Sequence, residues 1–364
     1  MGIGPEALLD ALEELSADEV RVLYNSIGEP GAVAEVALRH RSQNPISSEP
    51  LSVAYVYNIL RKVSDQSGQS SVSRKGSLLR GLFLEASPLE GKYIARTAIK
   101  SMLAGLGPNI LIKAIALAFD MDPLLVKEAY SRLPEIGMVA EKASISALES
   151  VAARPSIPLR PMLIRRGKTD SPGFYGFKYP GMRVQIHMAE GRLFLYTLRL
   201  KNITSSLRCL EGVMIDLDQE FIAEGWLVGY QNGRMLDRRG LIRYVNRRHL
   251  SRRKSVSPCL MAFDLMYLDG EDLTGTGYAK RRRLLASFLS GTVEGNEETA
   301  GKEHMTEPSS WIMPANDRFI EAPDDVESYH RQSLESGFYG LIYHSPESHY
   351  TPGEWNKTDL MVVR

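Results

Sequence analysis

The chain has 364 residues, an apolar fraction of 43% and a charged fraction of 24%, the balance of an ordinary globular protein with room for about two or three domains. The longest apolar run, residues 109–119, is too short to span a bilayer and is broken by Lys113, and the acidic N-terminus lacks the basic-then-apolar order of a secretory signal. Two cysteines, Cys209 and Cys259, are too few for a disulfide framework or a zinc cluster; they read as buried thiols in a reducing cytosol, and no metal site is expected.

Residues 1–150 read as helical. Leu8, Leu9, Leu12 and Leu15, then Val20, Val22 and Leu23, recur at helical spacing, with Ser16 as an expected N-cap and Glu19 three residues on. Segments 52–65, 76–86, 87–107 and 122–133 repeat the pattern. Ser87-Pro88-Leu89-Glu90 sets a cap, a first-turn proline and a box glutamate in order, and Gly105 and Gly107 are expected to end that helix. "EPGAVAE" at 29–35 and "EIGMVAE" at 135–141 share five of their letters and suggest two related helical subdomains.

The stretch 153–163, "ARPSIPLRPML", cannot continue a helix and reads as an exposed linker. Beyond it the texture becomes alternating and β-rich, with "AEGR", "QNGR" and "LDGED" as turns and "GYAKRRRLLASFL" as a helix between strands. Residues 290–310 are polar and rich in Gly, Ser and Glu, the composition of a mobile surface insertion. The expected organisation is multidomain, α followed by α+β: residues 1–152 all-α, a linker at 153–163, and 164–364 built on antiparallel sheets.

The formal net charge is zero, but its distribution is uneven. Nine of the 21 residues from Arg234 to Lys254 are basic, among them Arg243, Arg247, Arg248, Arg252 and Arg253, with Asp237 the single acid; Lys280-Arg281-Arg282-Arg283 follows. Such a block suits phosphate binding or a solvated helix face, and its density favours phosphate. Seven histidines show no metal-ligand spacing; His187 reads as a strand residue with a structural hydrogen bond, and Asp264 and Asp269 as strand and turn acids.

"FKYPGMRVQIH" at 177–187 carries the chemistry. An amine nucleophile must lose its proton to attack phosphorus, whereas a free lysine has a pKa near ~10.4. A site that adenylates itself therefore crowds its lysine with cations and supplies carboxylates for metal and ribose. The ordered series Lys178, Arg183, Phe263, Gly340, Tyr350-x-Pro352-Gly353 provides part of that set.

With these motifs the sequence resembles the ATP-dependent DNA ligases of the archaeal and eukaryotic type across nearly its whole length. "PLRPML", "LYTLRLKNIT", "FIAEGWLVGY", "MAFDLMYLDGEDLTGTGYAKRRRLL" and "GFYGLIYHSPESHYTPGEWNKTDLMVV" are similar to successive family motifs, and the helical half fits the family's DNA-binding domain. The resemblance implies a nucleotidyltransferase fold, ATP-grasp-like and made of antiparallel sheets. It implies Lys178 as candidate nucleophile, and Arg183, Phe263 and Glu224 as nucleotide-binding residues, Phe263 stacking on adenine. Ser73, Arg74 and Lys75, in a loop at 70–77, join the arginines of the 234–254 block as DNA contacts. ATP and magnesium are the implied cofactors if the site is active, and nicked or broken duplex DNA the implied partner, in a cytoplasmic or nucleoid setting.

Several positions depart from the family pattern. Pro180 stands for an aspartate, Gly176 and Tyr339 for glutamates, Leu198 for an arginine, His344 for a lysine, and Met361 and Val363 for the two lysines of the final motif. Trp226 stands for the glutamate of "EGE", with Glu224 two residues away on the same strand face as its one possible substitute. No OB-fold is expected after residue 364. The expectation is a divergent ligase homologue that binds DNA, with sealing lost or severely impaired. The alternatives are a minimal ligase using Lys178, and a non-catalytic scaffold for a repair or replication protein.

Overall fold

A computed structural model describes residues 4–42, 50–66, 70–103, 105–210, 219–246, 256–290 and 311–362. The described chain divides into two compact units at Gly107/Pro108, not at the proline-rich stretch 153–163.

The first unit is helical: α1 (Pro5–Glu13), α2 (Val20–Ile27), α3 (Pro30–Arg39), α4 (Val53–Asp65), α5 (Ser71–Glu85) and α6 (Pro88–Ala98). Their apolar stripes close one core around Leu8, Leu12, Val33, Leu38, Leu82 and Phe83. The capping box at Ser87 and Glu90 forms as expected. Ser16 does not cap α2. Residues 15–17 pair with 40–42, which holds Ser16 extended, and its hydroxyl accepts from the Asp18 amide instead. Nor do the glycines end α6. Lys100 takes the left-handed conformation (φ 60°), and the Ser101 amide closes back on the Arg96 carbonyl, so the helix stops at Ala98. Residues 71–77, expected as a loop, are the first turns of α5.

The second unit opens with α7 (Pro108–Ala118), α8 (Pro123–Arg132) and α9 (Ile136–Ser144), which enclose a smaller core around Ile112, Val126, Val139 and Leu148. The two copies of the Glu-x-Gly-x-Val-Ala-Glu heptapeptide begin α3 and α9, with Glu29 and Glu135 at the N-cap positions. Two sheets follow. The first contains β1 (Leu163–Gly167), β2 (Gly173–Phe177), β10 (Asp317–Ile320), β11 (Leu341–His344) and β12 (Trp355–Val362), in the order β1-β12-β11-β2-β10. The second contains β3 (Met182–Ala189), β4 (Arg192–Thr197), β5 (Phe221–Gln231), β6 (Arg234–Met235), β7 (Val256–Leu268), β8 (Glu271–Asp272) and β9 (Ile312–Pro314). Its path runs β4-β3-β5-β7-β8, with β6 on β5 and β9 on β7. Pairing is antiparallel except at β1–β12 and β7–β9.

The second sheet has both faces covered. Val184, Ile186 and Met188 of β3 pack with Leu241 and Val245 of α10 (Arg238–Asn246) and Leu285 and Leu289 of α11 (Tyr278–Ser290). The opposite face meets the first sheet through Tyr175, Phe177, Val228, Tyr230, Met261 and Phe263, with Tyr329 of α12 (Pro323–Glu335) behind. All three expected hairpin turns form: Glu190-Gly191, Asn232-Gly233 and Asp269-Gly270 each place two consecutive residues at positive φ. That is the twist a two-residue connection between antiparallel strands demands.

The stretch 153–163 is not the exposed linker expected. Ala153, Leu159 and Met162 are buried, and Gln185 grips Leu159 from both sides: its Oε1 accepts from the Leu159 amide at 2.9 Å and its Nε2 donates to the Leu159 carbonyl at 2.7 Å. Proline removes amides that would otherwise pair along a sheet, and the glutamine satisfies the backbone groups that remain.

Candidate functional site

β2 ends at Phe177, and pairing continues one residue further: the Lys178 amide donates to the Gly340 carbonyl and the Tyr339 amide to the Lys178 carbonyl. Gly340 turns there at φ 104°, a conformation that favours glycine. Gly181 is required for a different reason. A Cβ at that position would lie 2.4 Å from the Leu227 carbonyl oxygen, so the loop can pass β5 only without a side chain. The Tyr179 ring between them is fully buried, its hydroxyl accepting from the Asn316 amide at 3.0 Å. The Lys178 side chain is half-buried, and loss of solvation, then the charges of Arg166 and Arg238, hold its ammonium pKa below the ordinary lysine value.

Arg183 does not point at an open nucleotide site. Its Nε and a terminal nitrogen each donate to a different oxygen of Glu224 at 2.7 Å, and the pair is almost wholly buried, at 8% and 0% exposure. The Tyr350 hydroxyl also bonds Glu224. Burial pushes the Glu224 carboxyl up, and Arg183 pulls it down; the two-pronged geometry is that of an ionised pair. Glu224 is therefore committed to Arg183 and Tyr350. That corrects the expectation that it could stand in for the acid missing at Trp226.

β7 carries two bulges opposite β5: Ile222 pairs with Tyr267 and Ala223 with Leu265, then Glu224 with Asp264 and Gly225 with Ala262. Phe263 is the extra residue of the second bulge, which turns its ring inward. There it lies 6.0 Å from the Trp226 ring and 5.9 Å from His344, with the Arg183 guanidinium carbon 5.8 Å from its centre. His344 stacks on Tyr278 at 4.2 Å, the two rings almost parallel. Gly176, Phe177, Ala315, Asp317 and Ile342 complete the walls, and the space left between them is that of about one water molecule. At Gly176 even a Cβ would approach the Asp317 Cβ to 3.2 Å. An adenine ring does not fit this cleft as it stands.

The expected basic surfaces divide. In α10, Leu241, Tyr244 and Val245 face the core, while Arg238, Arg239 and Arg243 are exposed. Ser73 and Arg74 are exposed in the first turn of α5, with Lys75 partly covered. Arg247, Arg248, Arg252 and Arg253 lie outside the described residues, as does 291–310. Arg281 and Arg282, expected within a phosphate-binding run, are turned inward. Arg281 is fully buried, binding both oxygens of Asp264 at 2.7 and 3.0 Å, and Arg282 holds Asp317 at 2.6 Å. A signal for this exists: Arg281, Leu285 and Phe288 share the core-facing stripe of α11. Leu198 and Arg199 are exposed beyond β4. Among the described residues, no group of three or more His, Cys, Asp or Glu could hold a metal ion. Cys259 is buried and in no disulfide, and burial pushes its thiol up to about 12.

Residues 162–361 match the family model of the ATP dependent DNA ligase domain and residues 1–116 that of the DNA ligase N terminus. The chain belongs to the ATP-dependent DNA ligase family. Two similar curated proteins are the DNA ligases of Methanothrix thermoacetophila and Thermococcus onnurineus, 29% and 30% identical over 100% of this chain and 65% of each of those. The chain thus spans somewhat under two thirds of the length of these relatives. Among solved structures, Pmar-Lig_PreS3 shares the fold with a TM-score of 0.50 at 12% identity, covering 100% of this chain and 78% of that one. No helix among the described residues is long and apolar enough to cross a membrane.

His187 gives the second unit a pH dependence. It is fully buried, with Nε2 3.3 Å from Gln185 Oε1, and burial lowers its pKa to about 3. The folded state holds it neutral, whereas the unfolded chain protonates it below about 6.5. Stability is thus full above that pH and falls as pH drops, by about 2 kcal/mol between pH 6.5 and 5 from this group alone. Denaturant unfolding at pH 7 and pH 5 should show a smaller acid loss for His187→Gln than for the parent; equal losses would exclude it.

Proposed function

We propose that this ligase-family chain binds nicked or broken duplex DNA, in repair or replication, without adenylating itself. The closed cleft carries the proposal: Trp226, Phe263, Tyr278 and His344 occupy the space between the sheets, and Glu224 is committed to Arg183. The family's ATP therefore does not fit the residues present, and no reaction step is routed through it. DNA binding is supported by the match of the helical half to the family's N-terminal model and by the exposed Arg239 and Arg243 on α10. The test of lost adenylation is transfer of label from ATP to the chain.

Contacts to backbone phosphate make binding sequence-independent and steep in salt. About five neutralised phosphates give a log–log slope near −4 to −5, and Arg239→Ala with Arg243→Ala is expected to flatten it by about two. Fluorescence anisotropy with a nicked duplex at several salt concentrations measures both. Absence of binding by the parent chain at low salt would refute the DNA assignment and favour a protein-binding scaffold.

A minimal ligase is the alternative that Lys178 itself favours, since burial and two arginines lower its basicity as a nucleophile requires. ATP and a divalent metal would then be its cofactors, and the cleft would have to open to admit them.

A further inference from the structure

We infer that the outer edge of β1 is a docking site for an extended acidic segment of a partner protein, added to the first sheet as one more strand. The inference rests on the geometry of that strand and is independent of DNA binding.

β1 ends its sheet, whose order is β1-β12-β11-β2-β10, and among the described residues β12 is the one strand paired with it. The Leu163 amide donates to the Glu354 carbonyl at 2.7 Å, on the β12 side. Backbone groups alternate in direction along a strand, so those of Ile164 and Arg166 point to the open edge. Leu163, Arg165 and Arg166 are exposed, and so is Lys168 just past the strand. An open edge is a template for pairing with another chain, and charged side chains on it limit which chains can pair.

The charges stand on both faces. Arg166 shares a rung with Met361, Ile342, Gly176 and Asp317, and Arg165, one residue earlier, is on the other face. The acids of the sheet are engaged elsewhere. Asp317, at the far end of that rung, holds Arg282 at 2.6 Å and accepts from the Tyr278 hydroxyl at 3.0 Å, and Glu354 holds Lys127 at 2.6 Å. Asp170 is exposed beyond the end of the strand. Among the described residues, no carboxylate pairs with Arg165, Arg166 or Lys168. The opposite edge differs: in β10 Arg318 already lies over the Tyr329 ring, 4.0 Å from its centre.

An incoming strand with two adjacent acids sets one on each face, beside Arg165 and Arg166, while its backbone meets the groups of Ile164 and Arg166. A basic strand is repelled, and a neutral one gains the backbone bonds alone. A nucleic acid strand has no peptide backbone to pair with the edge and lies against one face of a sheet. Consecutive arginines on opposite faces therefore favour a peptide.

Fluorescence anisotropy with the full chain at low salt tests this. The probe is a short labelled peptide of threonine and valine with two adjacent glutamates at its centre. Replacing both glutamates by glutamine should weaken binding about tenfold, and N-methylating alternate backbone amides should do so about tenfold as well. The double variant Arg165→Glu with Arg166→Glu should lose the acidic peptide and bind one with lysines in place of the glutamates, thermal unfolding showing that the fold is kept. Binding that survives N-methylation would reduce the edge to a charged surface and overturn the inference, as would no binding at all. A single-stranded oligonucleotide that binds more tightly than the peptide, displaces it and depends on the same arginines would assign the edge to nucleic acid and overturn it too.

Discussion

Incubated with α-labelled ATP and a divalent metal and run on a denaturing gel, this chain is expected to carry no label. A preorganised electrostatic group contributes about 10²–10³ in rate, and several are missing together. Trp226 and Tyr339 are rings where the family pattern has carboxylates, and Pro180 has neither a carboxylate nor a backbone amide. Met361 and Val363 replace two lysines of the last motif. The structure adds two obstacles that these letters did not reveal: the cleft has room for only about one water-sized molecule, and Glu224, the nearest acid on the strand, is bound by Arg183 and Tyr350. Millimolar ATP should likewise leave thermal unfolding unshifted. A labelled band that disappears in Lys178→Ala would overturn the proposed function and establish the minimal ligase.

Glu224→Ala is expected to cost the second unit about 3–5 kcal/mol, because it leaves the Arg183 guanidinium buried without its partner. The double variant Arg183→Met with Glu224→Leu should recover most of that loss, since an apolar pair avoids the desolvation of two ions. Urea unfolding followed by tryptophan fluorescence compares the three proteins, Trp226 lying two residues from the substitution. A single variant as stable as the parent would mean the carboxylate is held loosely enough to serve another ligand.

What the sequence revealed depended on distance along the chain. The three hairpin turns and the Ser87 box are set by neighbouring residues, and all four were legible. The end of α6 was missed because Lys100 accepts a left-handed conformation that composition assigns to Gly105 or Gly107. The burial of 153–163 was hidden because the group that secures it, Gln185, stands 26 residues beyond Leu159. In the candidate site, the motif series led to Arg183, Glu224 and Phe263 on β3, β5 and β7, and to Lys178 one residue beyond β2. It did not reveal that Arg183 and Glu224 satisfy each other, which requires the register of β3 on β5. Nor did it reveal that Phe263 is the extra residue of a bulge, because pleat alternation alone cannot locate one.

The near-contact at Gly181 has a consequence for how ancestry and activity part company. The letter is fixed by the Leu227 carbonyl oxygen, 2.4 Å from where any Cβ would stand. A lineage selected only for shape would therefore keep that glycine as faithfully as one selected for turnover. The lysine three positions earlier is under no such steric compulsion. Under relaxed selection for chemistry, the glycine should outlast the lysine.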